Sequence, residues 1–169
     1  MLFPYFRDPD NFAYRLAEAA PCSLCSAHGL WFSAGGFYGR ETIDCICDTC
    51  LAAGKLKALG IETNDAMEGS QEEIDIIVYA TPALPTWQDR VWPRIDGRFC
   101  VFERFASRED FIDKAEFIAS FGDRYPGSDL DWLWEILPAK RLTHHRQGGD
   151  VTVYLFTSNG TKHCTWDAN

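Results

Sequence analysis

No apolar run in this chain approaches the roughly eighteen residues that a membrane-spanning helix needs, so no such helix is expected. The first residues, Met-Leu-Phe-Pro-Tyr-Phe-Arg-Asp, lack a basic start followed by an apolar stretch. No secretory leader is therefore expected, and a reducing cytoplasm is the expected location. Basic residues are few. The 16 Lys and Arg stand against 25 Asp and Glu, and the resulting net charge of −9 repels phosphate backbones and argues against direct binding of DNA or RNA. Recurrent catalytic signatures are missing too: no H-E-x-x-H, no phosphate-cradling G-x-x-x-x-G-K-[ST], no nucleophile-elbow G-x-S-x-G. Pro21-Cys22-x-x-Cys25 matches the end of the zinc-deaminase signature, but the upstream H-x-E is absent, the first histidine being His28. The expectation is a protein that is not an enzyme; an unrecognised carboxylate pair is the remaining catalytic alternative.

Cysteine is what the chain does have, 7 in all, and four of them fall into two matched pairs. Cys22-Ser23-Leu24-Cys25 and Cys47-Asp48-Thr49-Cys50 read as C-x2-C-x21-C-x2-C. Each pair, on a tight turn, presents two thiolates to one tetrahedral centre, and the intervening stretch is long enough for a hairpin that brings the pairs together. Cys22, Cys25, Cys47 and Cys50 are thus the expected ligands of a structural Zn²⁺. Four core thiols are the alternative, and they account poorly for two matched pairs. A redox dithiol at Cys22/Cys25 is disfavoured by the second pair and by the lack of a surrounding βαβ pattern. Cys45 is a competing ligand beside Cys47, and His28 a weaker substitute.

The segments around the pairs predict an α+β fold. Residues 21–60 are expected to form a zinc-ribbon or treble-clef-like subdomain within a single domain spanning 1–169. A helix is expected around Asn11–Ala19, ended by Pro21. Strands are expected at Leu30–Ser33 and Thr42–Ile46 with turns at Gly35-Gly36 and Gly39, and a helix over Thr49–Leu59 stopped at Gly60. Residues 62–72, polar and acidic, suggest a linker. Ile74–Tyr79 is ambiguous between strand and helix. A strand at Arg98–Arg104, a helix over 108–121 capped by Ser107 and Asp110, a helix over 129–137 and a hairpin turning at Asn159-Gly160 complete a mixed α/β body. Abundant aromatics (12 Phe, 6 Tyr, 6 Trp) supply its core.

Acidic side chains cluster. From Glu62 to Asp75 the chain carries Glu62, Asp65, Glu68, Glu72, Glu73 and Asp75 with no Lys or Arg, and a second acidic zone runs from Glu109 to Glu135. Such runs are commonly solvated faces, but they also suit capture of a basic partner. Lys140, Arg141, His144, His145 and Arg146 form the one basic spot, read as a loop before Gly148-Gly149.

The run Cys47-Asp48-Thr49-Cys50-Leu51-Ala52-Ala53-Gly54 resembles the C-P-W-C-I-A-D-G segment of the CbrC family, bacterial proteins associated with colicin tolerance. Thr81-Pro82, then Trp87-Gln88 and Trp92, is similar to that family's T-P-G…W-Q…W segment. Tyr154-Leu155-Phe156 falls in the expected order near the C-terminus. Asp48, Thr49 and Ala53 depart from the family pattern. Arg94-Ile95 stands where members tend to carry His-Cys, and Thr157–Gly160 where a further C-x-x-C is frequent. The resemblance implies a small cytoplasmic zinc-binding protein linked to tolerance of a protein toxin. Joined to the acidic surface, it leads to an expected immunity protein that occupies a basic toxin, such as a nuclease, through Glu62, Asp65, Glu68, Glu72 and Glu73. The alternative is a zinc-dependent regulatory or adaptor protein of a bacterial stress response.

Overall fold

The computed structural model describes residues 2–86, 90–125, 130–145 and 150–168. Near the N-terminus the chain departs from simple helical propensity. Helix α1 is only Pro9–Phe12, and Ala13 is already extended (φ −97°, ψ 163°). The helix expected to Ala19 does not form, because the backbone of residues 14–16 pairs with residues 31–33. Ser33 N–H donates to Tyr14 C=O at 3.1 Å and Leu16 N–H to Trp31 C=O at 2.9 Å. These interstrand bonds satisfy the groups that a helix would have satisfied internally.

Two short ladders then frame the cysteine pairs. Strands β1 (Ala20–Pro21) and β2 (His28–Gly29) close around the first pair, and β3 (Phe32–Ser33) pairs with a later strand, β5 (Cys45–Ile46). Between them lies β4 (Tyr38–Gly39), which pairs instead with β6 (Ile61–Glu62). After β5 comes α2, Asp48–Ala52. The helix expected from Thr49 to Leu59 is broken at Gly54, whose left-handed φ of +64° turns the chain into a 3-10 segment, Lys55–Leu59. Knuckle, hairpin and short helix together make a treble-clef-like unit.

Residues 62–72 are no linker. Thr63 and Asn64 are fully buried. The Asn64 side-chain amide donates to the carbonyls of Ile77 and Pro82 while its Oδ1 accepts from Leu84 N–H at 2.9 Å, so this stretch is clamped to residues 77–84. The ambiguous segment is helix α3, Gln71–Ala80. A reciprocal capping box decides it: Ser70 Oγ accepts from Glu73 N–H and Glu73 accepts from Ser70 N–H at 3.0 Å.

Strands β7 (Arg94–Ile95) and β8 (Arg98–Phe99) form a small ladder that leads into β9 (Val101–Phe105). The expected Ser107/Asp110 capping box is present, but on a 3-10 turn, Arg108–Asp110. Phe111 is extended, and α4 starts afresh at Lys114–Ala119 under an Asp113 cap. Helix α5 covers Asp131–Ile136, with Leu130, Leu133 and Leu137 buried; residue 129 of the expected helix lies outside the described residues. The C-terminal hairpin is as expected. Strands β10 (Val151–Ser158) and β11 (Thr161–Ala168) join at Asn159 (φ +50°) and Gly160 (φ +80°), the backbone of a type I′ turn.

The antiparallel sheet β11-β10-β9 is covered on both faces. Tyr154 and Phe156 join Phe99, Phe102, Phe105 and Trp92 in the cluster that reaches Cys22, Cys47 and Cys50. Val153, Leu155 and Cys164 face the other way, into a second cluster with Phe111, Phe117, Phe121 and Leu133.

Candidate functional site

The four paired cysteines meet. Cys22 N–H donates to Ala27 C=O (2.7 Å) and Ser26 N–H to Cys22 C=O (2.8 Å), bending the chain so that Cys22 and Cys25 share one side of the turn. Cys47 is the N-cap of α2, and its Sγ accepts from Cys50 N–H at 3.4 Å, the standard way a short helix presents two residues three apart at its first turn. The two halves are stitched together. Cys47 N–H donates to Cys22 Sγ (3.3 Å), and Ser23 N–H donates to Cys45 C=O (3.1 Å).

All four Sγ atoms lie within 4.8 Å of one another, and Cys25 and Cys47 are 3.6 Å apart. A tetrahedral ion with Zn–S bonds of about 2.3 Å sets sulfurs about 3.8 Å apart, so the set fits such an ion with little adjustment. Cys22, Cys47 and Cys50 are buried and Cys25 is exposed at the rim.

The electrostatics point the same way. Burial pushes the Cys22 thiol up, but the amides of Cys47, Leu24 and Cys25 aimed at its sulfur reverse this and bring it down to about 6. Burial pushes Cys47 up to about 12 and raises Cys50. Protein groups thus favour the thiolate at Cys22 and disfavour it at Cys47 and Cys50. A divalent cation would supply the missing charge and make ligands of all four sulfurs. Lys55 Nζ donates to Cys50 Sγ at 3.4 Å and offsets part of the charge that four thiolates would carry.

The other sulfurs lie elsewhere. Cys45 turns away from the centre, and its Sγ donates to Pro21 C=O at 3.2 Å. His28 is exposed on β2 and outside the cluster.

The five expected partner-binding acids spread over β6, the loop after it and the start of α3. Glu62 and Asp65 line a groove of about 450 Å³ with Met67, Ile74 and Tyr79. The Tyr38 hydroxyl donates to Asp65 and that of Tyr79 to Glu62 at 3.5 Å. Glu68 is exposed and stands 4.0 Å from Arg94. Glu72 is exposed. Glu73 is engaged in the α3 cap, which draws its carboxyl below the usual range through the Ser70 amide and hydroxyl.

A family model matches residues 1–168. The chain belongs to an uncharacterised protein family, UPF0167. No solved structure matches it. In this UPF0167 protein the residues shared with the T-P…W pattern are structural. The Thr81 hydroxyl donates to Ile76 C=O at 2.8 Å, ending α3. Buried Trp92 donates from Nε1 to Cys100 C=O at 2.7 Å and packs edge-on against Phe156 at 5.6 Å. Trp87 and Gln88 lie outside the described residues, as do Arg146, Gly148 and Gly149. Among the described residues of this UPF0167 chain no helix is long and apolar enough to cross a membrane.

Arg15 was not legible from sequence. It reaches across 33 positions to grip both carboxylate oxygens of Asp48 (2.7 and 2.8 Å) at the start of α2, its guanidinium 3.8 Å above the Phe32 ring. No spacing rule links such distant residues; an arginine in an aromatic-rich segment was the one available hint.

Proposed function

We propose that this UPF0167 protein is a CbrC-like zinc protein whose metal is structural and whose acidic face binds and neutralises a basic protein toxin in the cytoplasm. The observation that carries the metal half is the convergence of Cys22, Cys25, Cys47 and Cys50 within 4.8 Å. Four cysteinates fill a tetrahedral shell, so the ion has no position left for water and serves to shape the chain. On this reading the protein is not an enzyme.

The partner half is supported by charge. Glu62 and Asp65 stand in one groove, each accepting a hydrogen bond from a tyrosine hydroxyl and keeping its negative charge, with exposed Glu68 and Glu72 nearby in the chain. Such a face steers a cationic partner and offers carboxylates where a nuclease cleft expects phosphate. The test is binding to any basic toxin domain that a gene beside this one encodes. Sub-micromolar affinity, with an association rate that falls steeply as salt rises, supports the reading. Absence of binding to any such neighbour, with one zinc per chain retained, removes the toxin role and leaves the zinc-dependent regulatory or adaptor role.

A further inference from the structure

Six half-buried Lys and Arg side chains are found among the described residues, and five of them have a carboxylate within reach. Arg15 pairs with Asp48 (2.7 Å), Arg104 with Asp110 (3.1 Å), Arg108 with Glu135 (3.8 Å), Lys114 with Asp131 (2.9 Å) and Lys162 with Glu116 (2.8 Å). Arg90 is the sixth, and among the described residues no carboxylate lies within ion-pair distance of it. In a chain of net charge −9 that is an anomaly. A guanidinium withdrawn from water loses hydration that an anion ordinarily replaces.

Arg90 stands in the wall of a cavity of about 300 Å³, lined also by Tyr14, Ser33, Gly35, Gly36 and Thr86. One edge of the guanidinium is fixed: Nη1 donates to Gly36 C=O at 2.7 Å, and its carbon sits 4.9 Å from the Tyr38 ring centroid. Of its five N–H donors, one side-chain hydrogen bond is made among the described residues, that to Gly36. Tyr14 and Ser33, both hydroxyl-bearing, border the same space. Thr86 Oγ1, which donates to buried Asp167 at 2.7 Å, keeps its acceptor lone pairs. Among the described residues of the lining Arg90 alone is formally charged, and the volume matches the lower end of small-molecule sites.

We propose that this cavity binds the oxyanion group, carboxylate or phosphate, of a small molecule, with Arg90 as its forked cation and Tyr14 as a hydroxyl donor. Arg90 adjoins the acidic groove, its carbonyl accepting from Asp65 N–H at 2.9 Å, but the residues that line the cavity and those that line the groove differ, and oxyanion binding is read without the toxin partner, so the proposal stands or falls independently of the toxin reading. The rival account is that Arg90 only tethers the Gly35-Gly36 turn.

The test is a titration of the full chain, zinc-loaded, with inorganic phosphate and separately with succinate, followed by amide chemical shifts in constant chloride. Shifts centred on Tyr14, Gly35, Gly36 and Thr86 are expected with at least one probe. Succinate alone assigns a carboxylate, phosphate alone a phosphoryl group, and both a site that reads the shared oxyanion. Arg90→Gln should weaken binding by about tenfold or more, as loss of a charge-assisted bond does, and Tyr14→Phe by a few-fold. Neither probe shifting these amides, or both variants binding at full strength, overturns the proposal in favour of the tether. If Arg90→Gln does not fold, the wild-type map and Tyr14→Phe decide it by the same criteria.

Discussion

Cys45 and Cys47 are one residue apart and both buried, yet only Cys47 belongs to the sulfur cluster. Cys45 Sγ is held by the Pro21 carbonyl, whereas Cys47, the N-cap of α2, has its Sγ held by the Cys50 amide at the first turn of that helix, so the two sulfurs are drawn to different places. Cys47→Ser should therefore abolish zinc retention, whereas Cys45→Ser should keep one zinc per chain and cost only ~1 kcal/mol, since a hydroxyl can still donate to the Pro21 carbonyl. Elemental analysis of the two purified variants checks this. Gly39 supplies a second prediction at the same scale. A Cβ there would sit 2.2 Å from the Gly60 carbonyl oxygen, a backbone atom that cannot swing away. Gly39→Ala should push β4 and β6 apart and destabilise the fold by about 1–3 kcal/mol, read as a lowered denaturant midpoint with an unchanged slope.

Helix α3 shows what an element owes to its first turn. Its cap ties Glu73 to Ser70, and Asp75 is engaged by Lys57 and by Gln71 at 3.0 Å, so both carboxyls lie below their ordinary range. Glu116 at the start of α4 is lowered too, by Lys162 and then by the Ile112 amide. Groups whose folded value is depressed stabilise the fold above the unfolded-state value and lose that contribution as pH falls through the lowered one. Stability should thus be flat above about pH 5 and decline below about pH 4. Glu73→Gln should flatten part of that decline, and Ser70→Ala should cost ~1 kcal/mol at neutral pH; thermal melts at stepped pH check both.

The same elements explain how far the sequence could be read. The Ser107/Asp110 box, the Asn159-Gly160 turn and the paired C-x2-C spacing are local signals acting over a few residues, and each appears as expected. What failed was non-local. The helix expected to Ala19 is lost to pairing with residues 31–33, and the acidic run after Glu62 is pinned by a buried Asn64 whose partners lie up to 20 positions away. The helix over 108–121 is cut because Asp110 turns inward to Arg104 and Arg141, interactions that no helical periodicity contains. The four clustered cysteines were legible because each C-x2-C turn places its own two sulfurs locally. Lys55 beside Cys50 was not, since it depends on the chain turning at Gly54.

For the molecule as a whole, the decisive feature is a three-stranded sheet with no solvated face at its centre. In β10 the consecutive residues Val153, Tyr154, Leu155 and Phe156 are all buried, alternating between the two apolar clusters. A strand buried on both sides reads as a continuous apolar run, and it makes the sheet a shared wall that neither cluster can lose alone. The first cluster also runs through Cys22, Cys47 and Cys50, so the sulfur centre is continuous with the same packing. Chain-wide cooperativity follows, and it bears on the expectation of a single domain with a zinc unit inside it. Leu155→Ala and Phe156→Ala remove neighbours that face opposite ways. Each should destabilise the protein by about 2–5 kcal/mol, and each should shift one common transition seen alike by far-ultraviolet circular dichroism and tryptophan emission. Removing the metal with a chelator should lower that same transition. Two resolved transitions, with Leu155→Ala moving one and Phe156→Ala together with chelation moving the other, would mean that the wall between the clusters does not couple them.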